Sequence, residues 1–205
     1  MPAARATSKP WSMKWIVVAI VLFVIGYTAV NLYYRKPGPA YRPYQDSQDR
    51  ATVARLLAAG WHKVQVDTRR PAEKPAADSS AAIKRDFPGL GSDLTGKFAE
   101  APKLLATIDR VVAPASVAHG AEYTLYFTAS LTDLKAQAGE LSLYRNGNEL
   151  VFIPTSENLP GTGLMSRWND STYGATFSTA SLPPGQYNAR IVAKGPAAAW
   201  TFTIR

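Results

Sequence analysis

Hydrophobic and polar residues follow three successive patterns along this chain. From Trp15 to Tyr34 the pattern is continuous: WIVVAIVLFVIGYTAVNLYY has 20 residues and no acidic or basic side chain. As a helix rising about 1.5 Å per residue, such a run spans about 30 Å, the thickness of bilayer hydrocarbon, with each backbone group bonded inside the helix. It lacks the polar stripe of a globular core helix. Its length, and the bulky Tyr27 in the Tyr27-Thr28-Ala29 stretch, set it apart from a cleaved signal peptide. The pattern predicts an uncleaved single-pass anchor.

Beyond the anchor the period changes to that of a helix. Residues 37–44, PGPAYRPY, hold three Pro, each fixing its own φ and extending its predecessor, so a stiff stalk or strap is expected. ATVARLLAAG then places Val53, Leu56 and Leu57 on one side of a short helix, with Asp46 or Ser47 as its cap and Gly60 as its end. Trp61 to Asp67 alternates as a strand, Val64 and Val66 facing one way. Helix and strand are too small to stand alone, and must pack on the later part of the chain or on a partner. Residues 69–103 are rich in Pro, Ala, Gly, Ser and charge, and read as an extended linker without the apolar surface for its own core.

From Leu104 onward the alternation has period two. EYTLYFTASL puts Tyr123, Leu125, Phe127, Ala129 and Leu131 on one face. LLATIDRV, a hairpin ELSLYRNGNELVFI turning at Asn146-Gly147, STYGATFSTAS, QYNARIVA and AWTFTIR supply the other strands. About seven strands in about 100 residues is the count of an immunoglobulin-like sandwich. Within LPPGQY, Tyr187 has the setting of the tyrosine corner found in such folds. The expected fold class is an all-β immunoglobulin-like sandwich attached to a single N-terminal transmembrane helix. The order is a basic tail (1–14), the span (15–34), a stalk with a short helix and strand (35–68), a Pro/Ala-rich linker (69–103) and the sandwich (104–205).

Charge sharpens this layout. The net charge is +8, and residues 1–60 hold eight basic against two acidic residues, 61–100 seven against six, and 101–205 eight against seven. The excess surrounds the anchor and not the sandwich, so no nucleic-acid partner is expected. Trp11, Lys14 and Trp15 at one end, and Tyr33, Tyr34, Arg35 and Lys36 at the other, are the residue types of a membrane interface. Arg5, Lys9 and Lys14 nearly balance Arg35, Lys36 and Arg42 across the span. A basic start to a first apolar segment favours the short tail inside. The expected location is the cell inner membrane, single-pass, with the C-terminal domain periplasmic or extracellular.

Candidate chemistry changes the picture little. There is no Cys, which excludes disulfide stapling and thiolate chemistry. The two His, His62 and His119, are not spaced as a pair, and no calcium-loop, G-x-S-x-G or H-E-x-x-H motif is present. Gly161-Thr162-Gly163 lies in an irregular loop, away from any strand-to-helix phosphate cradle. No catalytic residue, cofactor or metal is expected. Partner contacts are expected at Gly26, which with Thr28 and Ala29 lets another helix approach. They are also expected at Tyr41, Arg42 and Tyr44 of the stalk, lying either on lipid headgroups or along a neighbouring subunit. Leu164, Met165, Arg167 and Trp168 add a cluster of interface-rich types, unless they cap one end of the sandwich.

Tyr33-Tyr34-Arg35-Lys36-Pro37-Gly38 is similar to a Tyr-Tyr-x-Lys-Gly element, and the order of basic tail, one span and external β-sandwich resembles the FixH family. These are single-pass accessory proteins linked to the assembly of cbb3-type cytochrome oxidases. In this chain the two Tyr sit at the membrane edge and a Pro is inserted. The resemblance covers the layout and those residues. It implies a non-catalytic subunit or assembly factor of a larger membrane complex, respiratory or otherwise electron-transferring, with a hetero-oligomeric integral-membrane partner. The alternative is a free-standing anchored binding module whose sandwich loops hold a ligand, metal or envelope partner.

Overall fold

The computed structural model describes residues 12–34, 43–70, 80–131, 133–159 and 169–205. Two compact units divide the chain, Met1–Pro43 and Tyr44–Arg205. The first contains α1 (Met13–Tyr34), an unbroken helix of 22 residues. It starts two residues before the apolar run, with the Ser12 carbonyl accepting from the Trp15 amide at 2.9 Å. Mean hydropathy over an 18-residue stretch within Met13–Tyr33 is 2.3 and none of that stretch is buried, so the helix is long and apolar enough to cross a membrane. Apolar side chains point outward all round it, Phe23 and Leu22 among them. Water solvates such a surface poorly and hydrocarbon solvates it well.

The second unit opens with α2 (Pro43–Ala58), which starts earlier than a cap at Asp46 or Ser47 would allow. Pro43 explains this: its fixed φ suits a first helical turn, where its missing N–H is no loss. The expected stiff stalk therefore gives way to helix at its last two positions, Pro43 and Tyr44. The helix ends as expected at Gly60, whose φ of +82° an L side chain rarely adopts. Gly60 N–H bonds to the Leu57 carbonyl at 3.0 Å and Trp61 N–H to the Leu56 carbonyl at 2.8 Å, the two bonds of a Schellman closure. Leu56 and Trp61, brought together by that closure, are both buried.

Strands follow at β1 (His62–Val64), β2 (Asp67–Arg69), β3 (Lys84–Asp86), β4 (Thr107–Val112), β5 (Ser116–Val117), β6 (Glu122–Ser130), β7 (Ala136–Asn146), β8 (Glu149–Asn158), β9 (Asp170–Ser178), β10 (Gly185–Ile191) and β11 (Ala197–Ile204). They form two sheets. One runs β1-β7-β8-β10-β11-β3, with β5 also beside β11; the other runs β2-β9-β6-β4. The pairings of the four-stranded sheet are all antiparallel; in the seven-stranded sheet β10 pairs with β8, and β11 with β5, in parallel. The chain from β8 to β10 passes through β9 in the opposite sheet, the crossover that a parallel pair requires. Immunoglobulin-like sheets are antiparallel, so these two pairings depart from that plan.

The inward faces meet in one core. Tyr123 of β6 lies 4.3 Å, centroid to centroid, from Phe202 of β11, and Phe152 of β8 lies 5.9 Å from Phe177 of β9, so aromatic rings bridge the two sheets. The expected inward row Tyr123, Leu125, Phe127, Ala129 and Leu131 is buried throughout, as are Tyr173, Ala175, Phe177, Tyr187, Ile191, Trp200 and Phe202. Tyr187 Oη donates to the Pro183 carbonyl at 2.8 Å, the backward bond of a tyrosine corner.

Three expectations change in detail. The hairpin turns at Gly147-Asn148, because Asn146 still pairs with Glu149 and only Gly147 has a positive φ, +57°. That is the glycine-first turn whose twist matches the strands. The single strand expected over Trp61–Asp67 is two strands, β1 pairing with β7 in one sheet and β2 with β9 in the other. The chain between them thus clasps one edge of both sheets, with Val64 and Val66 packed against the core. Finally, the described part of the expected linker, 80–103, folds back on the unit. Here β3 pairs with β11, the Gly89 amide bonds to the Ala193 carbonyl at 2.7 Å, and Leu94 is fully buried. A second core results, with Leu56, Trp61, Leu94, Leu104, Tyr144, Val151, Ile153 and Val192 beneath α2 and this strap. Leu104 and its neighbour Leu105 point into different cores.

Candidate functional site

The anchor's chemistry is laid out along α1. Lys14 and Trp15 lie in its first turn and Tyr33 and Tyr34 in its last, at opposite ends of the apolar stretch. Gly26 lies near mid-helix, and a Cβ built there meets nothing within 4 Å. The polar Asn31 is provided for within the helix, its Nδ2 donating to the Tyr27 carbonyl at 2.9 Å. Phe23 and Tyr27, one turn apart, stack at 6.1 Å. Tyr44 lies in the first turn of α2. Trp11, Arg35, Lys36, Tyr41, Arg42, Leu164, Met165, Arg167 and Trp168 lie outside the described residues.

On the β-rich unit the strap over the seven-stranded sheet borders a groove of about 630 Å³ lined by residues including Lys84, Asp93, Glu149, Asn188 and Arg190. Arg190 reaches from β10 to the strap. Its Nη2 lies 2.8 and 2.6 Å from the two oxygens of Asp93 and 3.2 Å from the Leu90 carbonyl. Both partners are partly exposed, so solvent screens the pair and its role is to hold the strap in place. Gly91 makes the approach possible: its φ is +78°, and a Cβ would fall 2.6 Å from both Arg190 Nη1 and Asp93 Oδ1. Gly91→Ala is expected to destabilise the unit by about 1–3 kcal/mol, from backbone strain and a displaced ion pair. A denaturant midpoint equal to that of the parent chain would show that the strap does not depend on this turn.

Sequence reasoning missed Arg190, Asp93 and Gly91, since a pair 97 positions apart leaves no local signal. His62 in β1 and His119 in the turn before β6 are not brought together with other ligand types, and the described residues contain no group of three His, Asp or Glu able to hold a metal.

The titrating groups with resolved shifts all move the same way. Burial pushes the Tyr123, Tyr144 and Tyr173 phenols up, and the hydrogen bond that Lys63 Nζ donates to Glu140 Oε1, 2.8 Å away, raises Lys63. In the unfolded chain tyrosine ionises near pH 10 and lysine near 10.4. The folded state holds these protons to higher pH, so the stability they contribute is complete below about pH 10 and is lost as pH rises through the folded values. Unfolding midpoints should therefore fall between pH 10 and 12 after a flat stretch around pH 8–9. Tyr123→Phe should reduce that fall, and an unchanged midpoint through pH 12 would contradict the burial assigned to these phenols.

Compared with protein-family models, curated proteins and solved structures, the chain matches none.

Proposed function

We propose that the chain is a non-catalytic, single-pass membrane subunit or assembly-stabilising factor of a larger membrane complex, with its β-rich unit on the external face. The observation that carries this reading is α1. It is apolar all round and carries no acidic or basic residue after Lys14, and the small Gly26 is a residue type that lets another span pack closely. The basic tail ahead of it supports the inward orientation of the N-terminus. The electron-transfer part of the proposal extends the resemblance at Tyr33–Gly38. The two-sheet unit supports an immunoglobulin-like reading through the tyrosine corner and through β4, β6 and β9 sharing one layer while β7, β8, β10 and β11 share the other. In that reading the β7–β8 hairpin is reversed, so that β8 and not β7 adjoins β10.

Native membranes solubilised in mild detergent, at native abundance, test the proposal by size. The chain is expected to migrate with stoichiometric haem- or metal-bearing membrane partners. Migration as a free single chain would reject the subunit reading in favour of an anchored binding module.

A further inference from the structure

Outside the two helices, Phe87 is the one large apolar side chain among the described residues that stands in solvent, and it is 87 % exposed. A single exposed apolar residue needs no explanation by itself; the setting of this one supplies an explanation. Its backbone is fixed on both sides. Asp86 pairs with Ala197 of β11, the Phe87 amide donates to Asp86 Oδ1 at 2.8 Å, and the Gly89 amide donates to the Ala193 carbonyl at 2.7 Å. The ring is therefore held out from the unit by paired backbone.

Three exposed cations border this tip. Lys84 and Arg85 precede it in β3, and Lys194 follows the Ala193 that holds Gly89. The nearest carboxylate, Asp86, accepts from the Phe87 amide. The grooves on either side of β3 add Arg110 and Arg190 against Asp93, Asp109 and Glu149, with Asp93 already paired to Arg190. Positive charge is thus concentrated at the tip and not spread over the sheet.

The place of the tip in the unit selects what it meets. Asn146 Nδ2 donates to the Ala59 carbonyl, which sets the C-terminal end of α2 beside the end of β7 and the start of β8. The N-terminal half of α2 lies by the far end of β8: Gln48 and Asp49 share a groove with Thr155 and Ser156. Because β8 and β10 are parallel, the end of β10 lies at that same end of the sheet, and Ala193 follows it. Phe87 and the start of α2 therefore lie at one end of the unit. Eight residues, 35–42, join Tyr34 of α1 to Pro43 of α2. Even fully extended they reach at most about 30 Å. The bilayer is thus the surface that the chain itself keeps close to this end, at high effective concentration.

We propose that Phe87, with Lys84, Arg85 and Lys194, is a foot by which the β-rich unit rests on the lipid surface around its own anchor. The ring enters the headgroup boundary and the cations meet anionic headgroups, the pairing that interfacial binding uses. Residue 87 stays at headgroup depth, where water-borne reagents still reach it. A protein partner would call for a cluster of anchors seated in pockets, and no second large apolar side chain is exposed beside Phe87 among the described residues. The inference rests on α1 being a membrane span, and not on membership of a complex.

The absence of cysteine allows single thiols carrying an environment-sensitive fluorophore to test this in the full-length chain. The chain is placed in nanodiscs of phosphatidylcholine with a minority of phosphatidylglycerol, and lipid bearing a nitroxide just below the headgroup is the quencher. Phe87→Cys is compared with Asn148→Cys, exposed in the β7–β8 hairpin at the other end of the sheet, and with Val24→Cys within α1. Quenching at position 87 is expected to exceed that at position 148 by at least about threefold. Lys84→Gln combined with Lys194→Gln should reduce it, as should nanodiscs of phosphatidylcholine alone. Equal quenching at 87 and 148, with Val24→Cys quenched, would overturn the foot and leave the anchor standing. An unquenched Val24→Cys would overturn both. A fluorophore at 87 that is shielded from water but not quenched by the lipid nitroxide would assign the patch to protein and overturn the proposal. Quenching indifferent to both the lysine variants and phosphatidylglycerol would overturn the part assigned to the cations.

Discussion

Trp200→Ala is expected to lower the stability of the β-rich unit by about 3–5 kcal/mol, a large share of the about 5–15 kcal/mol that holds a typical domain together. Trp200 is 2 % exposed and stacks on Phe152 at 5.7 Å. Its Nε1–H donates to Tyr123 Oη at 3.1 Å, and that hydroxyl in turn donates to the Pro114 carbonyl at 2.9 Å. The chain of two bonds runs from β11 through β6 to the turn before β5, tying both sheets to a loop. Removing the indole therefore opens a cavity and also takes a donor from a buried hydroxyl. Trp200→Phe keeps much of the volume but not the N–H, and should cost less than the alanine variant. Denaturant midpoints measure the difference; equal loss in the two variants would place the whole effect in the hydrogen bond.

The second large effect is expected at Trp61. Also 2 % exposed, it closes the end of α2 against Leu56 and sits in the second core with Leu94 and Tyr144. Trp61→Ala should cost about 3–5 kcal/mol by the same cavity argument. Its distribution should differ from that of Trp200→Ala, because the second core lies outside the sandwich. Amide exchange should rise at Ala99, whose N–H bonds to Thr52 Oγ1 at 2.9 Å and joins the strap to α2. It should also rise at Gly89, bonded to Ala193. Amides of β6 between β4 and β9 should stay slow. Faster exchange in β6 equal to that at Ala99 would show that the two cores open as one.

These two tryptophans mark where the sequence was readable. Trp200 falls on a clean alternation, Trp200, Phe202, Ile204, and strands with one face in a core have that signature whatever their partners. The inward row of β6 was legible for the same reason, and α1 because lipid imposes an unbroken apolar run. Trp61 opens an alternating run and so has the pattern of a strand start, while its role as a helix-closing residue depends on the backbone at Gly60. The strap was harder. Leu90, Leu94 and Phe98 are its apolar contacts, spaced by four, but the surrounding Pro, Gly, Ser and charge mask them in any compositional window. Its pairing with β11 joins residues more than 100 positions apart, which no local pattern encodes. The close approach of Tyr126 to β9 left one faint trace: Gly174 interrupts a strand otherwise rich in β-formers, and a Cβ there would fall 3.1 Å from Tyr126 Cε1.

The placement of the β-rich unit outside a single span is most directly tested by thiol labelling, which the absence of cysteine makes clean. Phe87→Cys puts one thiol at a residue 87 % exposed on the strap, and Ala4→Cys puts one in the tail ahead of α1. Each is treated with a membrane-impermeant maleimide in cells whose outer permeability barrier is opened but whose inner membrane is intact. Phe87→Cys is expected to label before the inner membrane is broken, and Ala4→Cys only afterwards. Labelling of Phe87→Cys only after lysis, or of both thiols alike before it, would contradict the topology.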